Sequence, residues 1–155
     1  MQMEQWEKFR TFKQRGEWVE LLFMAAAALR GFGISKPWGD SAACDVGIHH
    51  GSNYLRVQVK SSSYRRGTGY YCEFKPQDFQ TGYSLEQVDL FAAYVIPTDA
   101  WYLIPAAVLL RQHIQGLQLC PVRPSTRCPY LYEKYREAWK MLAKNRCALS
   151  RLGNR

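Results

Sequence analysis

Four polar residues in the first half of the chain have the types and spacing of a hydrolytic site. Glu20 stands in a segment with helical apolar periodicity, and Asp45 stands at the start of a short apolar run. Gln58 and Lys60 follow in a segment where apolar and polar residues alternate. Because side chains two residues apart on a strand point to the same face, we expect Gln58 and Lys60 on one face of a sheet. A carboxylate, an amide oxygen and an ammonium would then converge there.

Oxygen ligands of this kind suit a divalent cation. Mg²⁺ retains several waters and needs only one or two protein carboxylates. Such an ion polarises a phosphodiester and generates hydroxide from bound water, while Lys60 would orient that water or offset charge on the phosphate oxygens. A helix with glutamates and a strand with a polar face are also ordinary features of an α/β protein, so these residues alone leave both interpretations open.

The helix that would position Glu20 follows from the apolar spacing. Apolar residues three and four apart predict a helix over residues 17–30, which Gly31 and Gly33 end. A shorter helix is predicted over residues 3–13, with a break at Gly16. The predicted buried face of the main helix consists of Trp18, Leu22, Ala25 and Leu29.

The strands that would position the other three residues form a predicted hairpin. Two short runs, 44–50 and 54–61, flank a Gly-Ser-Asn turn. The remaining predicted elements are strands over 70–74, 90–96 and 101–104, helices over 105–112 and 130–148, and an irregular stretch over 117–129. The apolar seam predicted for the last helix is Leu131, Tyr135, Ala138 and Leu142. This order indicates an α/β protein with a small central sheet.

Length and composition bound the class of protein. The chain has 155 residues, of which 47% are hydrophobic and 22% are charged, which excludes a disordered, collagen-like or coiled-coil protein. We expect one domain over residues 1–155, with a motif-bearing core over about 15–105 and a basic helical region over about 106–155. The longest apolar run, residues 21–29, is too short to cross a membrane. We therefore expect a cytoplasmic protein without a membrane partner.

The positive charge is concentrated in the C-terminal third. Residues 111–155 contain ten Lys or Arg against two acidic residues, and the net charge of the whole chain is +8. Nucleic acid is the polyanion that we expect this field to attract. Arg136, Lys140 and Lys144 would form one stripe on the last predicted helix, although such a stripe is also compatible with plain solvated surface.

Other candidate groups are weaker. Arg65 and Arg66 stand in a polar, glycine-rich stretch that is predicted as a flexible loop suited to a phosphate backbone, or as an ordinary exposed loop. His49, four residues after Asp45, is a possible phosphate contact, with surface histidine as the alternative. The five cysteines lack a CxxC pair and are expected as free thiols, and the spacing of His113, Cys120 and Cys128 fits no familiar zinc site.

The order of the polar residues resembles the PD-(D/E)xK nuclease superfamily, the fold of restriction endonucleases and archaeal Holliday junction resolvases. Within it, the chain is similar to a small bacterial branch with a QxK motif that includes an intron-encoded homing endonuclease of cyanobacteria. The similar segments are RGEWVEL at 15–21, PWGDS at 37–41, DV at 45–46, VQVKS at 57–61, DLFAAYV at 89–95 and WYLIP at 101–105.

This resemblance implies a restriction-endonuclease-like α/β fold, with a small mixed central sheet flanked by helices. It implies a metal-dependent endonuclease that hydrolyses DNA with Mg²⁺, for which Mn²⁺ can substitute. The implied metal ligands are Asp45, Gln58 and Glu20, and Lys60 matches the motif lysine. Glu17 is a weaker alternative to Glu20. Cutting both strands with one site per chain would require a homodimer or a higher homo-oligomer.

Two positions depart from the superfamily pattern. Cys44 replaces the motif proline, which only shapes the backbone. Gln58 stands where most members have Asp or Glu, and a neutral amide offers one oxygen but no charge. A catalytically inactive nucleic-acid-binding module on the same fold is therefore the alternative function. Because the homing branch that the chain resembles also uses glutamine, we favour an active enzyme.

Overall fold

The computed structural model describes residues 8–39, 42–76, 82–122 and 130–153. Its helices are α1 (Phe12–Leu29), α2 (Ala106–Leu110) and α3 (Arg146–Arg151). Its strands are β1 (Gly33–Ser35), β2 (Val46–His50), β3 (Asn53–Ser62), β4 (Arg65–Arg66), β5 (Gly69–Glu73), β6 (Leu90–Val95), β7 (Ala100–Pro105) and β8 (Gly116–Leu119). Short 3-10 helices span Ile96–Thr98, Tyr130–Tyr135 and Trp139–Ala143.

The central sheet is mixed. Its strand order is β1-β2-β3-β6-β7, in which β3 and β6 run parallel and the other neighbours are antiparallel. A smaller antiparallel sheet has the order β4-β5-β8. The predicted α/β class with a small mixed central sheet is confirmed. Strands β1, β4 and β8 were not predicted, and β8 occupies part of the stretch over 117–129 that was predicted to be irregular; residues 123–129 lie outside the described residues.

Helix α1 is longer than the sequence indicated. It begins at Phe12, and Thr11 caps its N-terminus by accepting a hydrogen bond from the Gln14 N–H at 3.1 Å. Gly16, where a break was predicted, therefore lies inside the helix. The predicted separate helix over 3–13 is therefore wrong for the described residues, because residues 9–11 are not helical and Phe12 and Lys13 already belong to α1. Residues 1–7 lie outside the described residues. The end at Leu29 agrees with prediction, because Gly31 adopts φ +86°, which glycine tolerates best.

The predicted buried face of α1 was shifted. Val19, Phe23 and Ala27 are buried against the sheet, whereas Leu29 is 86% exposed. Residues 21–29 are all apolar, so nothing polar in this segment set the rotational phase of the helix. Packing against the sheet decided it.

The hairpin of β2 and β3 is confirmed. A two-residue turn joins the strands, with Gly51 at φ +58°, and Val46 pairs with Val57. Asp45 continues this register, because its N–H donates to the Val57 carbonyl at 2.9 Å. The hairpin thus places Asp45 beside the middle of β3.

A buried ion cluster at Asp89 fixes three segments to one another. The Asp89 carboxylate, 7% exposed, accepts hydrogen bonds from the backbone N–H and the guanidinium of Arg56, each at 2.9 Å. Arg146 of α3 donates to the same carboxylate at 3.0 Å. Burial raises the pKa of Asp89, but the hydrogen bonds from Arg56 outweigh it and hold that pKa below its usual value. The cluster joins β3, the start of β6 and α3.

The predicted continuous helix over 130–148 is wrong. The segment forms two 3-10 helices followed by α3. Glu137 adopts φ +49°, donates its N–H to the Trp101 carbonyl at 2.7 Å, and accepts from the Trp101 N–H at 2.8 Å. These bonds pair the backbone N–H and carbonyl of Trp101 at the open edge of β7. A regular helix in this segment would leave these groups unpaired.

The apolar seam predicted for this segment is correct in part. Tyr135, Ala138 and Leu142 are buried, but Leu131 is 71% exposed. Glu133 accepts a hydrogen bond from the Tyr102 hydroxyl at 2.9 Å, which holds the segment against β7. The C-terminal segment therefore closes the core at the β7 edge.

Asp89→Asn is expected to lower the free energy of unfolding by about 3 kcal/mol, because it leaves the Arg56 guanidinium without its buried counter-charge. Urea denaturation of wild type and variant at neutral pH measures this difference. Glu86→Gln, which changes an exposed acid three residues earlier, is the control and should change stability little.

The same comparison has an expected pH dependence. Since folding holds the pKa of Asp89 low, its stabilisation is complete above the unfolded carboxyl pKa of about 4 and is lost as the pH falls through the folded pKa. The difference in free energy of unfolding between wild type and Asp89→Asn should therefore decrease at acidic pH. Equal unfolding midpoints at neutral pH would contradict a stabilising role for the cluster.

Candidate active site

Asp45 and Gln58 are joined by a direct hydrogen bond. Oδ2 of Asp45 accepts from the Gln58 amide at 2.6 Å and from the Val59 N–H at 2.8 Å. Gln58 is 8% exposed. Among the described residues, no hydrogen bond is donated to Oδ1 of Asp45. One carboxylate oxygen is therefore fixed by β3.

The electrostatics of Asp45 reflect a crowded site. Burial raises the pKa of Asp45 to about 6, while the hydrogen bond from Val59 lowers it. The negative charge of Glu20 raises this pKa further, and the ammonium groups of Lys60 and Lys36 lower it. Two acidic and two basic side chains thus act on one another within a small region.

Lys60 lies two residues after Gln58 and on the same face of β3. Its Nζ donates to the Lys75 carbonyl at 2.9 Å and lies 5.1 Å from the centre of the Tyr83 ring. Burial lowers the pKa of Lys60, and the nearby Asp45 raises it. The segment that follows β5 therefore holds the ammonium beside the central sheet.

Glu20 reaches the cluster from α1 through a lysine. Nζ of Lys36 forms an ion pair with Oε2 of Glu20 and lies 3.5 Å from the Asp45 backbone carbonyl. Glu17 is exposed, and within the described part of the chain it forms no ion pair. The structure therefore brings Glu20 together with Asp45, Gln58 and Lys60, and leaves Glu17 outside the cluster.

Sequence reasoning did not single out Lys36. The sequence pattern does not predict the three-residue strand β1 that precedes Lys36. Ser35 pairs with Gly47, so the residue after Ser35 lies next to the start of β2 and to Asp45. A strand assignment for Gly33–Ser35 was the signal that would have placed Lys36 at the site.

Comparison with known proteins identifies the family. A family model described as PD-(D/E)XK endonuclease matches residues 10–142. The chain belongs to the PD-(D/E)XK endonuclease family. Nucleases of this family generally use divalent metal ions, and the family implies DNA as the substrate. The resemblance that the motifs indicated is thereby confirmed.

A solved structure supports the fold. The structure of a bacterial homing endonuclease, I-Ssp6803I, superposes with a TM-score of 0.75 and 25% sequence identity. The match covers 86% of this chain and 93% of that chain. No curated protein matches the sequence. The restriction-endonuclease-like fold class is confirmed by this likeness.

His49 lies at the far end of the hairpin from Gln58. It pairs with Tyr54, its Nε2 lies 3.0 Å from the Ser35 hydroxyl, and its ring centre lies 4.8 Å from that of Tyr54. Among the described residues, no contact joins His49 to Asp45. A role for His49 at this site finds no support in these contacts.

The described ranges contain no group of three His, Cys, Asp or Glu side chains that could hold a metal. Cys44, Cys72 and Cys147 are free thiols, as expected, whereas Cys120 is disulfide-bonded, which corrects the prediction for that residue. A disulfide sulfur is no thiolate ligand, so Cys120 cannot contribute to a zinc site in this form.

Arg65 and Arg66 do not lie in an irregular loop, which corrects the prediction for this segment. They form strand β4, pair with Tyr70 and Gly69, and are both exposed. Gly67 turns the hairpin at φ +60°. This hairpin therefore presents two cations on an ordered strand.

Arg136, Lys140 and Lys144 do not form one helical stripe, because the helix that would align them is absent. Arg136 donates to the Pro121 carbonyl at 2.7 Å and lies 3.7 Å from Glu133. Lys140 is exposed and Lys144 is half-buried. Each of the three remains a separate candidate for DNA contact.

Gln58→Glu is expected to destabilise the protein in the absence of metal by about 1 to 3 kcal/mol. The change replaces an amide that donates to Asp45 with a second carboxylate, in a buried position. Thermal melting in the presence of a chelator measures the effect. Gln112→Glu, at an exposed position, is the matched control. A melting temperature equal to that of wild type would argue against the Gln58–Asp45 hydrogen bond.

Among residues 8–39, 42–76, 82–122 and 130–153, none of the helices combines the length and apolar character that a membrane span requires.

Proposed function

We propose that the protein is a metal-dependent endonuclease that hydrolyses phosphodiester bonds in DNA, with Mg²⁺ as the cofactor and Mn²⁺ as a substitute. The observation that carries this proposal is the hydrogen-bonded pair of Asp45 and Gln58 beside Lys60, in a chain of the PD-(D/E)XK endonuclease family. Family membership indicates the reaction class. The Asp45–Gln58 pair provides oxygen atoms that we propose as metal ligands.

The residues present fit a magnesium ion. Oδ1 of Asp45 accepts no hydrogen bond among the described residues, and Gln58 offers an amide oxygen beside it. Glu20 brings a second carboxylate from α1, once Lys36 moves aside. Two carboxylates and one amide oxygen are a hard-ligand set that suits Mg²⁺ with several waters. When bound, such an ion polarises the phosphodiester and acidifies a bound water.

The side chains of this chain orient and neutralise the reacting groups. The Gln58 amide and the Val59 N–H hold Asp45 in one orientation. Lys60, fixed by the Lys75 carbonyl, presents a positive charge that offsets charge developing on the phosphate oxygens.

DNA would be held by cations around this site. Arg65 and Arg66 present two charges on an ordered hairpin, and Arg136, Lys140 and Lys144 add charge on the C-terminal segment. Phosphate contacts of this kind position the protein without reading bases. We further propose that the chain acts as one domain over residues 1–155, in the cytoplasm, as a homodimer or higher homo-oligomer, because one site cuts one strand.

A second candidate function is a catalytically inactive DNA-binding module. One observation favours it: at the position of the motif acid, Gln58 contributes an amide instead of a carboxylate, and that amide donates to Asp45. Incubation of purified protein with supercoiled plasmid and Mg²⁺ separates the two candidates. Metal-dependent nicking supports the enzyme, and salt-dependent DNA binding without nicking supports the module.

Asp45→Ala and Lys60→Ala are each expected to abolish plasmid nicking while DNA affinity stays nearly unchanged. Both side chains act on the metal and the phosphate, and neither belongs to the apolar core. Nicking is measured with Mg²⁺ and with Mn²⁺ in parallel, and circular dichroism establishes that each variant is folded. Wild-type turnover in either folded variant would refute the assignment.

The two helix glutamates provide a matched pair for the same assay. Glu20→Ala should cost more activity than Glu17→Ala, since only Glu20 is linked to the cluster through Lys36. The reverse order would move the helix ligand to Glu17.

Replacing Arg65 and Arg66 with Gln is expected to reduce the slope of log affinity against log salt by about 0.9 for each lost phosphate contact. The loss of affinity should be similar for unrelated duplexes. Lys8 and Lys13, two exposed cations near the start of α1, form the control pair when replaced with Gln. A double variant of the hairpin with the wild-type slope would show that β4 does not contact DNA.

A further inference from the structure

Lys36 forms an ion pair with Glu20, a carboxylate that the proposed metal site needs as a ligand. Its Nζ forms an ion pair with Oε2 of Glu20 and lies 3.5 Å from the backbone carbonyl of Asp45. The Glu20 side chain is 22% exposed and that of Lys36 is 52% exposed. The ammonium therefore lies between α1 and β2, where the two acidic side chains of the site approach each other.

The charges of the cluster balance without a metal. Asp45 and Glu20 supply two negative charges, and Lys36 and Lys60 supply two positive ones. Lys60 is anchored separately, on the Lys75 carbonyl. A divalent cation added to the four side chains as they stand would therefore meet a neutral cluster, with an ammonium already at Glu20.

The side chain of Lys36 can move away from Glu20 while its backbone stays in place. It follows β1 directly and precedes Pro37, so its backbone is held at the sheet edge. Its long side chain is half exposed and can carry the ammonium into solvent at small cost. Lys60, held over the Tyr83 ring and 2.9 Å from a carbonyl, lacks this freedom.

We infer that Lys36 is a resident counter-cation that competes with the divalent metal for Glu20 and thereby sets the metal affinity of the site. In the metal-free protein its ammonium neutralises Glu20 and keeps α1 against the start of β2. Metal binding requires exchange of this ammonium for the divalent ion. The inference rests on the proposed function, because it takes Glu20 and Asp45 as ligands.

Lys36→Met tests the competition, since it keeps the length of the side chain and removes the charge. The variant is expected to bind Mn²⁺, in the absence of DNA, on the order of tenfold more tightly than wild type, as removal of a nearby half-exposed unit charge allows. Isothermal titration calorimetry of the metal-free protein measures the affinity. Lys36→Arg should keep the wild-type value, and so should Lys134→Met, which removes an exposed lysine on the C-terminal segment.

A second measurement uses stability instead of affinity. With a chelator present, Lys36→Met should melt at a lower temperature than wild type, because Glu20 and Asp45 lose their shared counter-cation. Saturating Mn²⁺ should then raise its melting temperature by more than it raises that of wild type. In a Glu20→Gln background, Lys36→Met should bring no gain in Mn²⁺ affinity, because the carboxylate for which Lys36 and the metal compete is absent.

The outcomes distinguish the two proposals. If Asp45→Asn abolishes Mn²⁺ binding but Lys36→Met binds no more tightly than wild type, the role of Lys36 is overturned and the metal site stands. A gain that persists in the Glu20→Gln background also overturns it. If Mn²⁺ binding is absent, or is unaffected by Asp45→Asn, the proposed metal site fails, and the competition fails with it.

Discussion

The carboxylate of Asp89 is the interaction on which the arrangement of this fold depends. It receives the guanidinium and the backbone N–H of Arg56 from β3 and the side chain of Arg146 from α3. Parallel neighbours such as β3 and β6 have no tight turn to fix their register. Here a buried charge fixes it, because a shift along the strand would leave Arg56 or Asp89 unpaired in the interior.

The candidate site takes its geometry from the register of the neighbouring β2–β3 hairpin. β3 carries Gln58 and Lys60, and the hairpin to β2 brings Asp45 to the adjacent position. Since strand side chains alternate between faces, a slip of one residue would turn Gln58 and Lys60 away from Asp45. Helix α1 and the residue after β1 then complete the cluster with Glu20 and Lys36. Two carboxylates and two ammonium groups thus face one another in the cluster.

The C-terminal third shows how one segment can satisfy two demands. Its basic residues give the chain its positive charge, but its backbone is used to cover the edge of β7. Glu137 and Glu133, the two acidic residues of this region, are the groups that bind β7 and Tyr102. They stabilise the fold, while cations of the same segment such as Lys140 stay exposed.

The sequence by itself determined the family, the α/β class, the hairpin and the strand that bears Gln58 and Lys60, because these depend on local alternation, turn residues and motif spacing. It did not determine which face of α1 is buried, since residues 21–29 are uniformly apolar. Nor did it determine that the last predicted helix is replaced by shorter 3-10 helices, since only pairing with the edge of β7 requires this. The position of Lys36 also required the tertiary structure. Whether the lysine after a short strand reaches a carboxylate on a helix 16 residues earlier depends on how β1 docks on β2. That pairing is set by packing between distant segments.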